Sequence, residues 1–196
     1  MGKKIDSLMR LAGLGFNVPE FELLEARSDI PKQLFERWEK VSIRTDIRES
    51  NTKFLLPFFP NISPDEAVEK CEQLLEKNLI VIASKGINPE DSRVAGKFMI
   101  APHIEGIEYY IGPGTIRQME VDGVQRQWFE TGPDFMRPYP VLGDWPMALN
   151  KYYGTLTTMI SKVKTLLPDN VTVEFSIYPY RIGRRREHII YWEMIT

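Results

Sequence analysis

Two glutamates lie in strongly apolar segments near the end of the sequence. Glu174 interrupts VTVEFSI and Glu193 interrupts IIYWEMI, two segments with the composition of β-strands. A charged side chain is costly to place in such a strand unless it has a partner or a function. With one cysteine and two histidines in the chain, any bound metal would have to be a hard, oxygen-bound ion. The alternative is a pair of outward-facing acids on a half-exposed sheet.

A cluster of arginines surrounds the last predicted turn, and it consists of Arg181, Arg184, Arg185 and Arg186. Such a run is usually a solvated turn, although it could bind the phosphate end of a substrate or a nucleic-acid backbone. His103 and His188 have no acid or nucleophile paired with them in the sequence. We therefore expect both histidines to be structural.

Composition narrows the classes of function. The 25 basic and 27 acidic residues leave a net charge of −2, so no global field draws the chain to nucleic acid or to a membrane. The single cysteine, Cys71, excludes an intramolecular disulfide. No segment approaches the roughly 20 apolar residues of a membrane span. These features predict a cytoplasmic protein.

The elements that must position these residues are mainly helices in the first third of the chain, and strands with one long helix in the rest. The segment 63–78 has the clearest helix pattern, with a serine cap, a proline in the first turn, and Cys71 on its apolar face. Helical periodicity also marks 7–12, 31–40 and 146–167, whereas 17–25, 41–44, 79–84 and the segments after Gly96 are typical of strands. This order predicts an α+β fold.

The N-terminal segment Gly2–Phe21 (GKKIDSLMRLAGLGFNVPEF) resembles the opening of the nucleotide-binding domain of the pyruvate phosphate dikinase and phosphoenolpyruvate synthase family. The resemblance puts Lys4 at the position of the family's phosphate-contacting lysine, although Ile5 replaces a family glycine. SIRTD (residues 42–46) resembles the family's V-R-S-S segment, so Arg44 is implied to reach the nucleotide's phosphates. The alternative for both cations is solvated surface charge.

The segment Ile107–Gly123 (IEYYIGPGTIRQMEVDG) is similar to the hinge strand of ATP-grasp proteins, whose backbone hydrogen-bonds the adenine edge between two lobes. The resemblance implies that Tyr109, Tyr110 and Ile111 supply those backbone groups and an apolar wall. It places Glu108 at the entrance, near the adenine amino group or the ribose. Without the family, the segment is a strand with an aromatic pair and a glycine turn.

The loop KGINPEDSRVAGK lies where ATP-grasp proteins often carry a lysine and a lid over the phosphates. Lys85 and Lys97 flank this loop, and Gly86 and Gly96 would let a lid move. Either lysine could contact phosphate, and Lys97 is assigned with Arg44 to catalysis.

ATP-grasp enzymes bind magnesium through two carboxylates on neighbouring strands, in a pattern like V-E-F followed by V-L-E-x-N. The resemblance implies that Glu174 and Glu193 are the metal ligands. Mg²⁺ keeps waters and substrate phosphates, so two carboxylates are a sufficient protein contribution. Ile195 stands where the ligases have asparagine, so a third ligand is missing.

The resemblance as a whole implies an α+β, ATP-grasp-like fold: one minimal unit, 1–196, with two small lobes, about 1–106 and 107–196. The lobes would carry mainly antiparallel sheets with a nucleotide cleft between them. ATP and Mg²⁺ are the expected cofactors. The expected activity is that of a phosphotransferase, such as a kinase, or of a ligase acting on an unidentified small-molecule acceptor.

Three alternatives stay open at this point. One is a non-catalytic nucleotide-sensing or partner-binding module with a degenerate site, which the departures at Ile5 and Ile195 favour. A second is a nucleic-acid-associated domain, which the near-neutral charge disfavours. A partner protein or a homo-oligomer is also left open, whereas a membrane is not expected.

Overall fold

The computed structural model describes residues 3–30, 35–47, 56–114, 127–131, 147–179 and 188–196. The chain forms two compact units. The N-terminal unit comprises Met1–Ala12 and Val18–Asn88, and the C-terminal unit comprises Gly13–Asn17 and Pro89–Thr196. Among the helices that the structure describes, none combines the length and the apolar character needed to cross a bilayer.

The N-terminal unit contains a four-stranded sheet between two helices. Its antiparallel strands follow the order β1-β4-β2-β3. The strands are β1 Phe21–Leu24, β2 Val41–Asp46, β3 Phe58–Ile62 and β4 Ile80–Lys85, and the helices are α1 Lys3–Gly13 and α2 Pro64–Leu75. Because side chains alternate along a strand, each face of the sheet receives one helix.

Helix α2 forms as its sequence predicts. Ser63 caps it by accepting a hydrogen bond at Oγ from the Glu66 amide at 3.3 Å, and proline occupies the first turn. Ala67 and Cys71 lie on the buried face, against Val81 and other apolar residues of the sheet. Burial raises the pKa of the Cys71 thiol to about 12. The prediction that Cys71 is a core residue is therefore confirmed.

Helix α1 packs on the opposite face of the same sheet. Ile5 and Leu8 contact Ile80 and Ile82 of β4 in a separate apolar cluster. The first turn of α1 is bound by Asp46, whose Oδ2 accepts hydrogen bonds from the amides of residues 4 and 5 at 2.9 and 3.2 Å. A carboxylate is favourable there because the helix N-terminus carries unpaired amides and a positive dipole end.

The C-terminal unit contains a five-stranded antiparallel sheet of order β7-β6-β5-β8-β9. Its strands are β5 Val94–Ala101, β6 Ile104–Ile111, β7 Gln127–Glu130, β8 Val171–Tyr178 and β9 His188–Ile195. Helix α3, Tyr153–Leu166, follows a 3₁₀ segment at Met147–Tyr152. Two antiparallel sheets with few helices confirm the predicted α+β class.

Helix α3 covers one face of this sheet. Its buried residues are Leu156, Met159, Ile160 and Val163, which follow the helical spacing of an apolar stripe. The Lys164 ammonium pairs with the Glu105 carboxylate of β6 at 2.9 Å. Successive side chains of a strand point to opposite faces of the sheet, so Glu108, three residues after Glu105, lies on the face that α3 does not cover.

Two expectations about organisation differ from the structure. The segment 31–40 was predicted to be a helix, but its described part forms a 3₁₀ turn at Phe35–Arg37. Phe35 and Trp38 are both buried, and a spacing of three residues places both on one side of such a turn. The lobe division near residue 106 falls inside β6, which pairs on both sides, whereas the units divide between Asn88 and Pro89.

Gly96 lies inside β5 and not at a lid hinge. A Cβ at this position would lie 2.7 Å from the Phe175 ring and 2.8 Å from the Glu108 carbonyl oxygen. Overpacking of this kind costs about 1–3 kcal/mol. We expect Gly96→Ala to lower the free energy of unfolding by this amount, measured by urea denaturation.

Gly154 provides the matched control. It lies in α3 with nothing within 4 Å of its added Cβ. Gly154→Ala should stabilise the protein by about 0.5–1 kcal/mol, because alanine favours the helix. Equal effects of the two substitutions would contradict the packing argument for Gly96.

Candidate functional site

Four charged residues form a continuous row across the sheet of the C-terminal unit. Lys97 of β5 lies directly opposite Glu108 of β6 on one side and opposite Glu174 of β8 on the other. Glu174 in turn lies opposite Glu193 of β9. Directly opposed residues share a face, so all four side chains project from the face that α3 does not cover. We call these four residues the charged row.

The centre of the charged row is an ion pair with little exposure. Lys97 Nζ lies 3.4 Å from Glu174 Oε1, and each side chain is only 16% exposed. Lysine and glutamate are rarely buried to this extent without a partner. The pair therefore offsets part of the desolvation cost of both groups.

The other end of the charged row opposes two like charges. Glu174 and Glu193 are direct cross-strand partners, an arrangement that destabilises a sheet when no cation lies nearby. The pairing register shifts immediately after Glu174, and Trp192 is the extra residue. Its Nε1 donates a hydrogen bond to Ser176 Oγ at 2.9 Å. The bulge therefore lies next to Glu193, and a bulge locally bends its strand and increases the twist.

The paired carboxylates fit a hard divalent cation. They supply oxygen donors of the kind Mg²⁺ prefers, and Mg²⁺ completes its shell with waters and substrate phosphates. The described residues contain no group of three or more histidine, cysteine, aspartate or glutamate side chains that could hold a metal. Ile195 lies opposite Thr172 and is 49% exposed. A metal here would therefore depend on two protein carboxylates and on the ligand's own oxygens.

A tryptophan extends the row onto the edge strand. Trp128 of β7 lies opposite Glu108 and is 42% exposed. A Cβ at Gly106 would lie 2.5 Å from the Trp128 ring, so the glycine makes room for the indole. Sequence analysis did not single out Trp128. The register of β6 and β7, which no local pattern reveals, is what places it beside the charged row.

The three residues predicted to contact adenine have different surroundings. Tyr109 is buried, its hydroxyl donates to Gln127 Oε1 at 2.6 Å, and burial raises its phenol pKa. Its backbone lies between two paired strands. Tyr110 and Ile111 continue the pairing with β5, while the described pairing with β7 ends at Tyr109. β6 is thus an inner strand of one sheet and does not connect the two units.

The N-terminal unit brings Lys4 and Arg44 to one side of its sheet. Arg44 and Asp46 alternate on the face of β2 that α1 covers, and Asp46 binds the first turn of α1, which carries Lys4. The Arg44 guanidinium lies over the Phe58 ring at 5.7 Å, a cation–π distance. Asp46 is a residue that sequence analysis missed. Its signal was a carboxylate in an apolar strand, two positions after Arg44.

Lys85 stands apart from this pair. It ends β4 opposite Val41, on the face that α2 covers, and its side chain is exposed. Lys97 was expected at the end of a lid loop, but it lies in the middle of β5. Lys85 thus ends a strand of the N-terminal unit, and Lys97 lies inside the charged row of the C-terminal unit.

The remaining candidates are peripheral or undescribed. His188 stacks on Tyr178 with ring centroids 5.7 Å apart, and His103 lies exposed in the turn between β5 and β6. The arginine cluster (Arg181, Arg184, Arg185 and Arg186) lies outside the described residues.

Comparison with solved structures identifies proteins that have a similar fold. No protein-family profile and no curated protein matches the chain. Among solved structures, it is similar to D-alanyl-alanine synthetase A from Vibrio cholerae, with a TM-score of 0.54, 13% identity, and coverage of 98% of this chain and 54% of that one. It is also similar to D-alanine–D-alanine ligase from Bacillus anthracis complexed with ATP, with a TM-score of 0.54, 11% identity, and coverage of 98% and 52%.

A third similar structure is a RiPP-associated ATP-grasp ligase from Chryseobacterium gregarium in complex with ADP and a leader and core peptide. Its TM-score is 0.53 at 11% identity, with coverage of 95% of this chain and 49% of that chain. The chain spans about half the length of these three proteins. The similarity establishes an ATP-grasp fold, as the sequence predicted.

Proposed function

We propose that this chain binds ATP with Mg²⁺ and acts in an ATP-dependent ligation. The observation that carries the proposal is the charged row, in which opposed carboxylates adjoin a lysine on one face of an ATP-grasp sheet. Phosphoryl transfer depends chiefly on positioning and on neutralising charge, and these residue types supply both.

Each part of the charged row has a proposed role. Glu174 and Glu193 would hold the cation, which would supply positive charge to offset the negative charge of the phosphates. Lys97 contacts phosphate from the neighbouring strand as a point charge. Glu108 lies one strand further, where it would accept hydrogen bonds from the adenine amino group or the ribose. The backbones of Tyr110 and Ile111 remain the proposed adenine contacts.

In the N-terminal unit, Lys4, Arg44 and Lys85 are the proposed phosphate contacts. The first two are supported by their placement, since the Lys4 amide donates to Asp46 Oδ2 and Arg44 lies two residues before Asp46 on β2. Lys85 lacks that support, since it lies on the other face of the sheet. Arg44 suits a catalytic role best, because a guanidinium can bind two phosphate oxygens at once.

Ligation is favoured over the phosphotransfer of the dikinase and synthase family. The similar solved structures are named as ligases and synthetases, and two of them contain ADP or ATP. A ligase of this kind would transfer the γ-phosphate to an acceptor carboxylate, and an amine would then displace the phosphate. The acceptor is proposed to be a carboxylate on a small molecule or a peptide.

The experiment is a search for acceptor-dependent ATP consumption. The protein is incubated with MgATP and panels of carboxylates and amines, and ADP and inorganic phosphate are measured. A ligase releases ADP and phosphate in equal amounts only when both acceptors are present. Phosphate retained on the acceptor would instead indicate a phosphotransferase. ATP binding without turnover over the whole panel would support the nucleotide-sensing alternative.

A further inference from the structure

Lys97 forms an ion pair with Glu174, one of the two carboxylates proposed to bind the metal. Its ammonium lies 3.4 Å from Glu174 Oε1, and the same glutamate lies opposite Glu193 on the next strand. Glu174 is therefore shared between a fixed internal cation and the position proposed for a metal. Both members of the ion pair are mostly buried, so water screens their attraction weakly.

Glu174 lies between Lys97 and Glu193 in the charged row. From β6 to β9 the charges run negative, positive, negative, negative, as Glu108, Lys97, Glu174 and Glu193. Lys97 adjoins Glu174 on one side, and Glu193 lies on the far side of Glu174, at the end of the row. A divalent ion that enters there meets the ammonium of Lys97 across Glu174, and like charges at such a distance repel.

We propose that Lys97 is an internal counter-ion that competes with the divalent cation for Glu174 and so lowers the affinity of the metal-free protein for it. The inference rests on the proposed metal and nucleotide function of the same site. When metal and nucleotide bind together, phosphate oxygens take over as partners of the lysine, and Glu108 on its other side keeps it on the sheet. Lys97 thereby makes tight metal binding conditional on the nucleotide.

This role predicts opposite changes in two affinities when the lysine charge is removed. Loss of the lysine charge should strengthen the binding of a divalent cation alone, because the competitor is gone. It should weaken the binding of ATP without metal, because the phosphates lose a cation. A lysine that only supported the fold would move both affinities in the same direction.

The test uses Mn²⁺ as the probe, with free Mn²⁺ followed by electron paramagnetic resonance in the absence of nucleotide. Lys97→Met keeps the length and removes the charge. We expect its Kd for Mn²⁺ to fall about five- to tenfold below that of the wild type, since a tenfold change corresponds to about 1.4 kcal/mol. Calorimetry with metal-free ATP should show weaker binding by a similar factor.

Lys164→Met is the matched control. Lys164 forms a comparable ion pair with Glu105, on the face of the same sheet that α3 covers. This variant should bind Mn²⁺ and ATP as the wild type does. Lys97→Gln serves as a second charge-removing variant if methionine prevents folding.

The outcomes separate this inference from the function on which it rests. If the wild type binds MgATP with a metal dependence that Glu193→Gln removes, but neither Lys97 variant binds Mn²⁺ more tightly, the counter-ion role is wrong and the function stands. If the wild type binds neither Mn²⁺ nor MgATP, the proposed function and the inference both fail.

Discussion

Glu193→Gln is expected to remove the metal dependence of ATP binding. The substitution keeps the shape of the side chain and deletes one of two opposed carboxylates. The loss of one close charge–charge interaction in a partly buried site is worth about 3 kcal/mol, or roughly a hundredfold in MgATP affinity. Calorimetric titration of wild type and variant, each with and without Mg²⁺, measures this change.

The same substitution should not weaken the metal-free fold. Glu193 opposes Glu174, so its neutralisation relieves a like-charge contact, and the melting temperature in chelator should stay level or rise. Glu174→Gln should also lose metal dependence, but it removes the ion pair with Lys97 and should lower the melting temperature. Glu130→Gln, on the exposed edge strand β7, is the control and should change neither property. Metal dependence that survives in both variants would show that the ligands lie elsewhere.

Asp46→Ala is expected to destabilise the N-terminal unit strongly. Asp46 is 4% exposed and accepts three backbone hydrogen bonds, two from the first turn of α1 and one from the Ile47 amide at 2.9 Å. Alanine leaves these donors unpaired, at a cost of about 3 kcal/mol. Chemical denaturation followed by circular dichroism measures the loss.

Ser63→Ala is the comparison for Asp46→Ala, because it removes the side-chain cap of the other helix in the same unit. Ser63 accepts one hydrogen bond, at 3.3 Å, so its loss should cost only about 1 kcal/mol. Asp46→Asn retains an acceptor and should fall between the two. A cost for Asp46→Ala no larger than that for Ser63→Ala would contradict the anchoring of α1 by β2.

Elements with local signals could be predicted from the sequence. The serine cap, the proline and the apolar spacing predict helix α2. Runs of β-branched and apolar residues predict β8 and β9. The prediction of a helix at residues 31–40, before β2, was wrong in the described part of that segment. Its two large apolar residues, Phe35 and Trp38, suit a single 3₁₀ turn as well as they suit one turn of an α-helix.

The charged row could not be predicted as a unit, because register between distant strands has no local signature. Glu174 and Glu193 were predicted as a pair on neighbouring strands, from their apolar context and from the resemblance to ATP-grasp enzymes. The resemblance to ATP-grasp proteins predicted a lid loop flanked by Lys85 and Lys97, with Gly86 and Gly96 to let it move. In the structure Lys97 lies inside β5, and a Cβ at Gly96 would meet the Phe175 ring. The pairing of Lys97 with Glu174 joins residues 77 positions apart in the sequence.

Asp46 shows a second limit of the sequence. Its partners are backbone amides at the start of α1, and amides carry no residue identity that a pattern could reveal. Arg44, in the same strand, is the residue whose type suggests a chemical role. Only the hydrogen bonds in the structure show that Asp46 of β2 binds the first turn of α1.

The most direct test of the central claim is calorimetric titration of the wild-type chain with ATP in the presence and absence of Mg²⁺. The account predicts saturable binding of one ATP per chain, tighter with Mg²⁺ than without it. Absence of ATP binding under both conditions would contradict the account.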